Sequence, residues 1–192
     1  YLAEIEDYVR VEPKLFGLPT GEAVDKQLRE TYKEYYDKEY RSIGKPKLSS
    51  VSDPAELFET YQEFQGDRLR LLAPHFGKTK KLLEIGCSSG MFLCRVKNKV
   101  GTIVGIDYDT SAATYATKKC DCPVYTTDPE KTPLEKGSFD IVAAFQVLEH
   151  VKSPIKFIED IGAYLKPGGT IAIEIPNLNA ALLSAYDLPF YK

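Results

Sequence analysis

The chain has 192 residues, of which 43% are hydrophobic and 28% are charged, an ordinary composition for a folded protein with a buried core. Its 25 Lys and Arg residues are outnumbered by 28 Asp and Glu residues, so the chain lacks the basic excess that nucleic-acid binding normally requires. No apolar run is long enough to span a membrane and no signal-peptide pattern opens the chain, so we expect a cytoplasmic protein without a membrane partner.

The N-terminal part of the chain predicts a helical extension. Between Gly21 and Arg41, apolar and tyrosine side chains recur at three- and four-residue steps among charged ones, which is typical of an amphipathic helix. Residues 42–52 contain glycine, proline and several serines, and this composition predicts a loop. We therefore divide the chain into an N-terminal helical extension, residues 1–52, and a core, residues 53–192.

The core opens with a second predicted helix. Asp53 is a typical N-cap, and Pro54 is favoured at the first helical position. Apolar residues then recur with a helical period until Pro74. We expect this helix to pack on the sheet that follows.

From Lys81 onward, short apolar runs alternate with helical stretches, which is the pattern of β-α-β units. We predict a turn at Pro167-Gly168-Gly169, because glycine readily adopts a positive φ. The fold class is therefore α/β, with a Rossmann-like, mostly parallel sheet flanked by helices. The predicted strands lie near residues 81–86, 102–107, 123–127, 139–145 and 169–175, and the helices near 89–99, 110–119 and 153–165.

The first predicted strand runs directly into a glycine loop, Gly86-Cys87-Ser88-Ser89-Gly90, at which the next helix begins. Such a loop lets a ligand approach the backbone closely and offers unpaired N–H donors. The spacing G-x-x-x-G differs from the G-x-G-x-x-G of dinucleotide-binding proteins, which argues against a nicotinamide oxidoreductase.

Asp107 ends the second predicted strand, about 20 residues after the glycine loop, where Rossmann sheets carry a ribose-binding acid. Its carboxylate can accept hydrogen bonds from both hydroxyls of a ribose. Tyr108 follows and has a ring that can stack on an adenine. The alternative is that Asp107 only caps the next helix.

The four cysteines show no paired C-x-x-C spacing, so a zinc site is not expected. We predict reduced thiols that bind no metal. These cysteines are Cys87, Cys94, Cys120 and Cys122.

Five motifs occur in an order that resembles the class I S-adenosylmethionine-dependent methyltransferases. The resemblance covers roughly residues 72–177 and is closest to the small-molecule type, which includes ubiquinone-biosynthesis O-methyltransferases and sugar methyltransferases. The motifs are Leu83–Gly90, Gly105–Tyr108, Thr127–Pro129, Ser138–Val151 and Leu165–Gly169.

The resemblance implies S-adenosylmethionine as the cofactor and assigns a set of residues to it. Asp128 is expected to meet the adenine amino group, and Gln146 stands where some quinone-type relatives hold a metal with an acid, so no metal is expected. The implied cofactor-binding residues are Glu84, Gly86, Cys87, Ser88, Gly90, Asp107, Tyr108, Asp128 and Gln146.

His150 follows the fourth predicted strand and is the candidate general base for a hydroxyl acceptor. The alternative is a structural histidine at a helix start. In the tyrosine-rich helix, Tyr36 or Tyr40 can close over the cofactor, or the helix can simply pack in the core. Only a short segment follows Asn177, so the C-terminal strands of the family are expected to be missing.

The expected reaction is methyl transfer to an oxygen or carbon of a small metabolite, which is sugar-like or quinone-like. A homodimer is a candidate assembly, and no nucleic-acid partner is expected. An amino methyltransferase acting on nucleic acid is disfavoured, because Ala144-Phe145-Gln146-Val147 lacks the acid or Asn followed by Pro-Pro. The other alternative is a non-catalytic module that binds S-adenosylmethionine or serves as a scaffold.

Overall fold

The computed structural model describes residues 53–176, which form a five-stranded parallel sheet with helices on its faces. The predicted helix over 21–41 and the loop over 42–52 lie outside the described residues. The helices are α1 Pro54–Tyr61, α2 Gly66–Leu72, α3 Met91–Val96, α4 Thr110–Cys120 and α5 Pro154–Gly162. The strands are β1 Lys81–Ile85, β2 Thr102–Ile106, β3 Val124–Tyr125, β4 Phe139–Phe145 and β5 Leu165–Glu174.

The strand order is β3-β2-β1-β4-β5, and each neighbouring pair is parallel, which confirms the Rossmann-like prediction. β2 and β3 lie on one side of β1, and the next strands along the chain, β4 and β5, lie on the other side. In open α/β sheets, ligands bind beyond the carboxyl ends of the strands at such a reversal. The fold therefore places the candidate site at the ends of β1, β2 and β4.

The predicted second helix begins as expected and is interrupted later. The Asp53 side chain accepts hydrogen bonds from the N–H groups of Ala55 and Glu56, at 2.8 and 3.0 Å. A 3₁₀ turn, Gln62–Gln65, then separates α1 from α2, and another follows over Ala73–His75. The prediction of one continuous helix was therefore wrong, and the break lies directly before Gly66, a poor helix former at the start of α2.

β5 begins at Leu165, earlier than predicted, so the glycine turn lies inside the bounds of the strand. The register with β4 shifts between Phe139 and Ile141, which accommodates the extra residues as an irregularity. Gly168 has a φ of +77°, the left-handed conformation that its sequence context predicts. The turn prediction therefore identified the irregularity but not the strand that surrounds it.

Alternate residues of the strands point to two cores, one on each face of the sheet. Leu82 of β1 lies in the core beneath α3, whereas the next residue, Leu83, lies in the core on the opposite face. Phe92 belongs to the first core and Tyr164 to the second, and both side chains are almost fully buried.

Among residues 53–176, no helix combines the length and apolarity needed to cross a bilayer.

Cys94 and Cys120 form a disulfide that links α3 to the end of α4, with their Cα atoms 4.8 Å apart. The prediction of four reduced thiols was therefore wrong for this pair. Cys87 and Cys122 are free and buried. The pairing joins residues 26 positions apart, and only the packing of the two helices brings them together.

The amino ends of β1, β4 and β5 are joined by the carboxylate of Asp140. It accepts hydrogen bonds from Lys166 Nζ at 2.7 Å, the Lys81 N–H at 2.9 Å and Lys80 Nζ at 3.1 Å. The side chain is only 13% exposed. The hydrogen bond from Lys166, with those from Lys81 and Lys80, holds the pKa of Asp140 far below its usual range despite burial.

We expect Asp140→Asn to lower the free energy of unfolding by about 2 kcal/mol near neutral pH, since it weakens hydrogen bonds between charged groups. Because the folded-state pKa is depressed, this contribution is present above the ordinary Asp pKa of about 4 and is lost as the pH falls below it. Urea unfolding of wild type and variant at several pH values measures the difference. Asp160→Asn, which removes only the exposed pair with Lys156, is the control and should change little.

Candidate cofactor-binding site

The glycine loop turns sharply between β1 and α3. Gly86, Ser88 and Gly90 all have positive φ, of +72°, +49° and +81°. The N–H groups of Gly86 and Cys87 both donate to the carbonyl of Ile106, at 2.7 and 3.1 Å, which ties the loop to the end of β2. A Cβ on Gly86 would lie 2.4 Å from a methyl carbon of Val147, so this position admits no side chain.

Asp107 is held directly against the glycine loop. Its Oδ2 accepts the Ser88 N–H at 2.6 Å, and its Oδ1 accepts the Asp109 N–H at 2.9 Å. Asp109 is the N-cap of α4 and accepts the Ala112 N–H at 2.8 Å. The alternative in which Asp107 only caps this helix was therefore wrong.

Tyr108 and Asp128 meet beside the ends of β2 and β3. The Tyr108 hydroxyl donates to Asp128 Oδ1 at 2.5 Å, and Lys131 Nζ lies 2.8 Å from Asp128 Oδ2. The two residues that the resemblance assigned to the adenine thus lie together, next to Asp107.

Glu84 is a buried acid at the end of β1, two residues before Gly86, and is only 3% exposed. Its Oε2 has no hydrogen-bond partner among residues 53–176. Burial raises the pKa of Glu84 well above its usual value, Arg68 lowers it in part and Asp107 raises it further. The glycine loop therefore lies next to an acid whose charge is poorly compensated.

A second charged cluster, which the sequence interpretation missed, lies across the ends of β4 and β5. Arg68 of α2 donates Nε and Nη2 to the two carboxylate oxygens of Glu174, at 2.8 and 2.5 Å, and Nη1 to Gln65 at 2.9 Å. Its guanidinium carbon lies 4.4 Å from the centroid of the Phe145 ring. Gln146 Nε2 also donates to Glu174, at 2.9 Å. The hydrogen bond from Arg68 keeps the pKa of Glu174 below its usual value.

Two of the predicted site residues are placed differently from the rest. The Cys87 side chain is buried, and its Sγ would lie 2.6 Å from a Cβ on Gly105, so Cys87 offers only its backbone to a ligand. His150 is 39% exposed in a 3₁₀ turn after β4, with Nε2 3.9 Å from Glu149 Oε1. The backbone N–H of His150 donates to the carbonyl of Val147, the residue whose side chain packs against Gly86.

Comparison with known proteins identifies the segment that contains this site. A family described as a methyltransferase domain matches residues 83–173, from β1 to β5. Residues 83–173 therefore correspond to a methyltransferase domain. The ubiquinone biosynthesis O-methyltransferase of Thiobacillus denitrificans is 29% identical over 138 residues, which cover 67% of this chain and 58% of that protein. Its namesake from Bradyrhizobium sp. is 36% identical over 106 residues, 52% of this chain and 41% of that protein.

Solved structures share the fold of this methyltransferase domain. Streptomyces venezuelae DesVI has a TM-score of 0.55 at 20% identity, covering 68% of this chain and 59% of its own. Geranyl diphosphate C-methyltransferase from Streptomyces coelicolor A3(2) has a TM-score of 0.55 at 16% identity, covering 74% of this chain and 62% of its own. The chain spans about half the length of the curated relatives it matches. A further relative, from Mycolicibacterium smegmatis, is described as a probable S-adenosylmethionine-dependent methyltransferase and is 30% identical over 101 residues, 51% of this chain and 38% of that protein.

The Arg68 cluster, which lies just outside residues 83–173, had only a weak signal in the sequence. Glu174 is a charged residue inside the apolar run Ile171–Ile175, which is unusual for a strand in a parallel sheet. Arg68 looked like one of several surface charges on an amphipathic helix. Their partnership spans 106 residues, so no local pattern reveals it.

We expect Gly86→Ala to lower the free energy of unfolding by about 2 kcal/mol or more, because the new Cβ is strained at a φ of +72° and collides with Val147. The glycine loop should also move, which weakens binding of S-adenosylhomocysteine. Urea unfolding and isothermal titration calorimetry measure the two effects. Gly162→Ala is the matched control, because a Cβ there meets nothing within 4 Å; equal behaviour of the two variants would contradict the prediction.

Proposed function

We propose that this chain transfers a methyl group from S-adenosylmethionine to an oxygen or carbon of a small, sugar-like or quinone-like metabolite. The observation that carries the proposal is the glycine loop bound to Asp107, beside a buried Glu84 oxygen without a partner among the described residues. The cofactor carries a ribose, an adenine and a methionine zwitterion. The described residues offer a complementary group for each of these parts.

The adenosine part fits the side of the site formed by β2 and β3. Asp107 is positioned to accept hydrogen bonds from the ribose hydroxyls, while its bond to Ser88 keeps the glycine loop in shape. Tyr108 and Asp128 would flank the adenine, Tyr108 with its ring and Asp128 as an acceptor for the exocyclic amine. The left-handed turn at Gly86 and Gly90 allows the ligand to lie against the backbone.

The methionine part fits the side formed by β1, β4 and α2. Arg68 would bind the ligand carboxylate, because an arginine has five N–H donors and three of these bonds are accounted for by Glu174 and Gln65. Glu84 would face the ammonium group of the ligand. Gln146 donates a hydrogen bond to the Glu174 carboxylate, which also binds Arg68. A zwitterionic ligand thus matches one guanidinium and one buried acid.

The sulfonium of the bound cofactor supplies an already activated methyl group, so the protein mainly aligns the acceptor and excludes water. His150 would take the proton from a hydroxyl acceptor. We assign it this role because its 3₁₀ turn begins beside Val147, whose side chain lies against Gly86 of the glycine loop. A carbon acceptor or an already acidic hydroxyl would not need this base.

The names of the relatives support both classes of acceptor atom. The curated relatives include O-methyltransferases of ubiquinone biosynthesis, and one structural neighbour is a C-methyltransferase of geranyl diphosphate. The shared fold does not by itself fix the acceptor, because specificity depends on residues grafted around the site.

Asp107→Ala should weaken binding of S-adenosylhomocysteine by about 1.5–3 kcal/mol, since the variant loses charged hydrogen bonds to the ribose and to the Ser88 N–H. Isothermal titration calorimetry gives the change in affinity, and circular dichroism verifies that the fold survives. Asp160→Ala, at a half-buried position on α5 where the side chain pairs with Lys156, should bind as wild type does. Unchanged affinity in Asp107→Ala would assign the acid a purely structural role.

His150→Ala should lower the rate of methyl transfer to a hydroxyl acceptor by about 10²–10⁴-fold while cofactor affinity barely changes. Single-turnover rates with labelled S-adenosylmethionine, measured across pH on a panel of phenolic and sugar acceptors, test this. Equal rates for wild type and variant at every pH would mean that His150 is structural.

A further inference from the structure

We propose that Glu84 is protonated in the ligand-free protein and releases its proton to solvent when the ammonium group of the cofactor binds beside it. The inference rests on the proposed function, because the ligand concerned is its cofactor. It adds a role for this acid as the proton-linked binding group for the ligand ammonium. It also makes cofactor affinity depend on pH.

The sheet itself leaves Glu84 without polar support. The residue occupies the fourth position of β1, and its neighbours in register are Gly105 of β2 and Ala143 of β4. Neither neighbour has a polar side chain. The residue is 3% exposed and Oε2 has no hydrogen-bond partner among residues 53–176, so no described protein donor stabilises a carboxylate at that oxygen. Burying an ionised carboxyl under these conditions costs far more than burying the neutral acid.

The charged groups around Glu84 do not neutralise it. Arg68, from α2, is the cation that acts on it, and Glu174 already binds that guanidinium through two hydrogen bonds. Asp107, after β2, carries a like charge and favours the neutral form of Glu84.

Two thiols also face Glu84 and add no positive charge. Burial raises the pKa of Cys87 well above its usual value and that of Cys122 to about 11, so both remain neutral near pH 7. Glu84 therefore lies near one guanidinium, which Glu174 already binds, and near a second carboxyl group, that of Asp107, so this buried acid is the one that stays protonated.

A bound ammonium group reverses this balance. It brings the missing positive charge close to the buried carboxyl group, so the carboxylate form becomes favoured. The O–H bond of Glu84 breaks, its proton goes to the buffer, and the ammonium keeps all of its own protons. The loaded site then holds one proton fewer than the ligand-free site. Affinity should therefore rise by up to about tenfold per pH unit until the pH reaches the pKa of Glu84 in the ligand-free protein.

Isothermal titration calorimetry near pH 6, in two buffers of different ionisation enthalpy, counts the protons released on binding. The probes are S-adenosylhomocysteine, which carries the amino acid, and 5′-methylthioadenosine, which shares the adenosine and sulfur but has no ammonium. We expect release of up to about one proton with the first ligand and none with the second. No release with S-adenosylhomocysteine, or equal release with both ligands, would overturn the proposal.

Glu84→Gln keeps the size and shape of the side chain but cannot titrate, so it should abolish the proton release with S-adenosylhomocysteine. Glu63→Gln, an exposed acid in the 3₁₀ turn before α2, is the matched control and should release as wild type does. If Glu84→Gln fails to fold, the comparison of the two ligands on the wild-type chain still decides. Failure of both ligands to bind would instead contradict the proposed function, and with it this inference.

Discussion

The bond between the glycine loop and the end of β2 is the contact on which the candidate site depends. The carbonyl of Ile106 accepts two loop N–H groups, and the carboxylate of Asp107 accepts a third, from Ser88. These bonds hold the loop in a left-handed turn, with Gly86 so close to Val147 that no side chain fits. In the proposed function the carboxylate that organises the loop would also bind the ligand, so loop shape and ligand binding would depend on one residue.

Carboxyl groups at the two ends of the sheet have opposite electrostatic environments. Asp140, at the amino ends, is surrounded by Lys166, Lys80 and a backbone donor, so its charged form is stabilised and supports the fold. Glu84, at a carboxyl end, is more deeply buried and lacks a dedicated partner among the described residues. A buried acid without a compensating charge destabilises the fold unless a ligand supplies that charge. Strongly perturbed acids of this kind cluster at functional sites.

The sequence predicted the parts of the fold that follow from local pattern. The buried strands, the loop at Gly86 and the cap at Asp53 all appear as expected, because period, glycine and capping chemistry act within a few residues. The errors arose where neighbours in space decide. The early start of β5, for example, depends on its pairing with β4.

The sequence by itself determined the order of the β-α units, the glycine turn and the acid about 20 residues beyond it, because spacing along one chain encodes each of these. Only the tertiary structure decided which residues meet from distant positions. The disulfide between Cys94 and Cys120 and the ion pair between Arg68 and Glu174 join elements that pack against one another across the fold. Residue spacing contains no record of such packing, and burial, which raises the pKa of Glu84, is a property of the folded assembly of strands and helices.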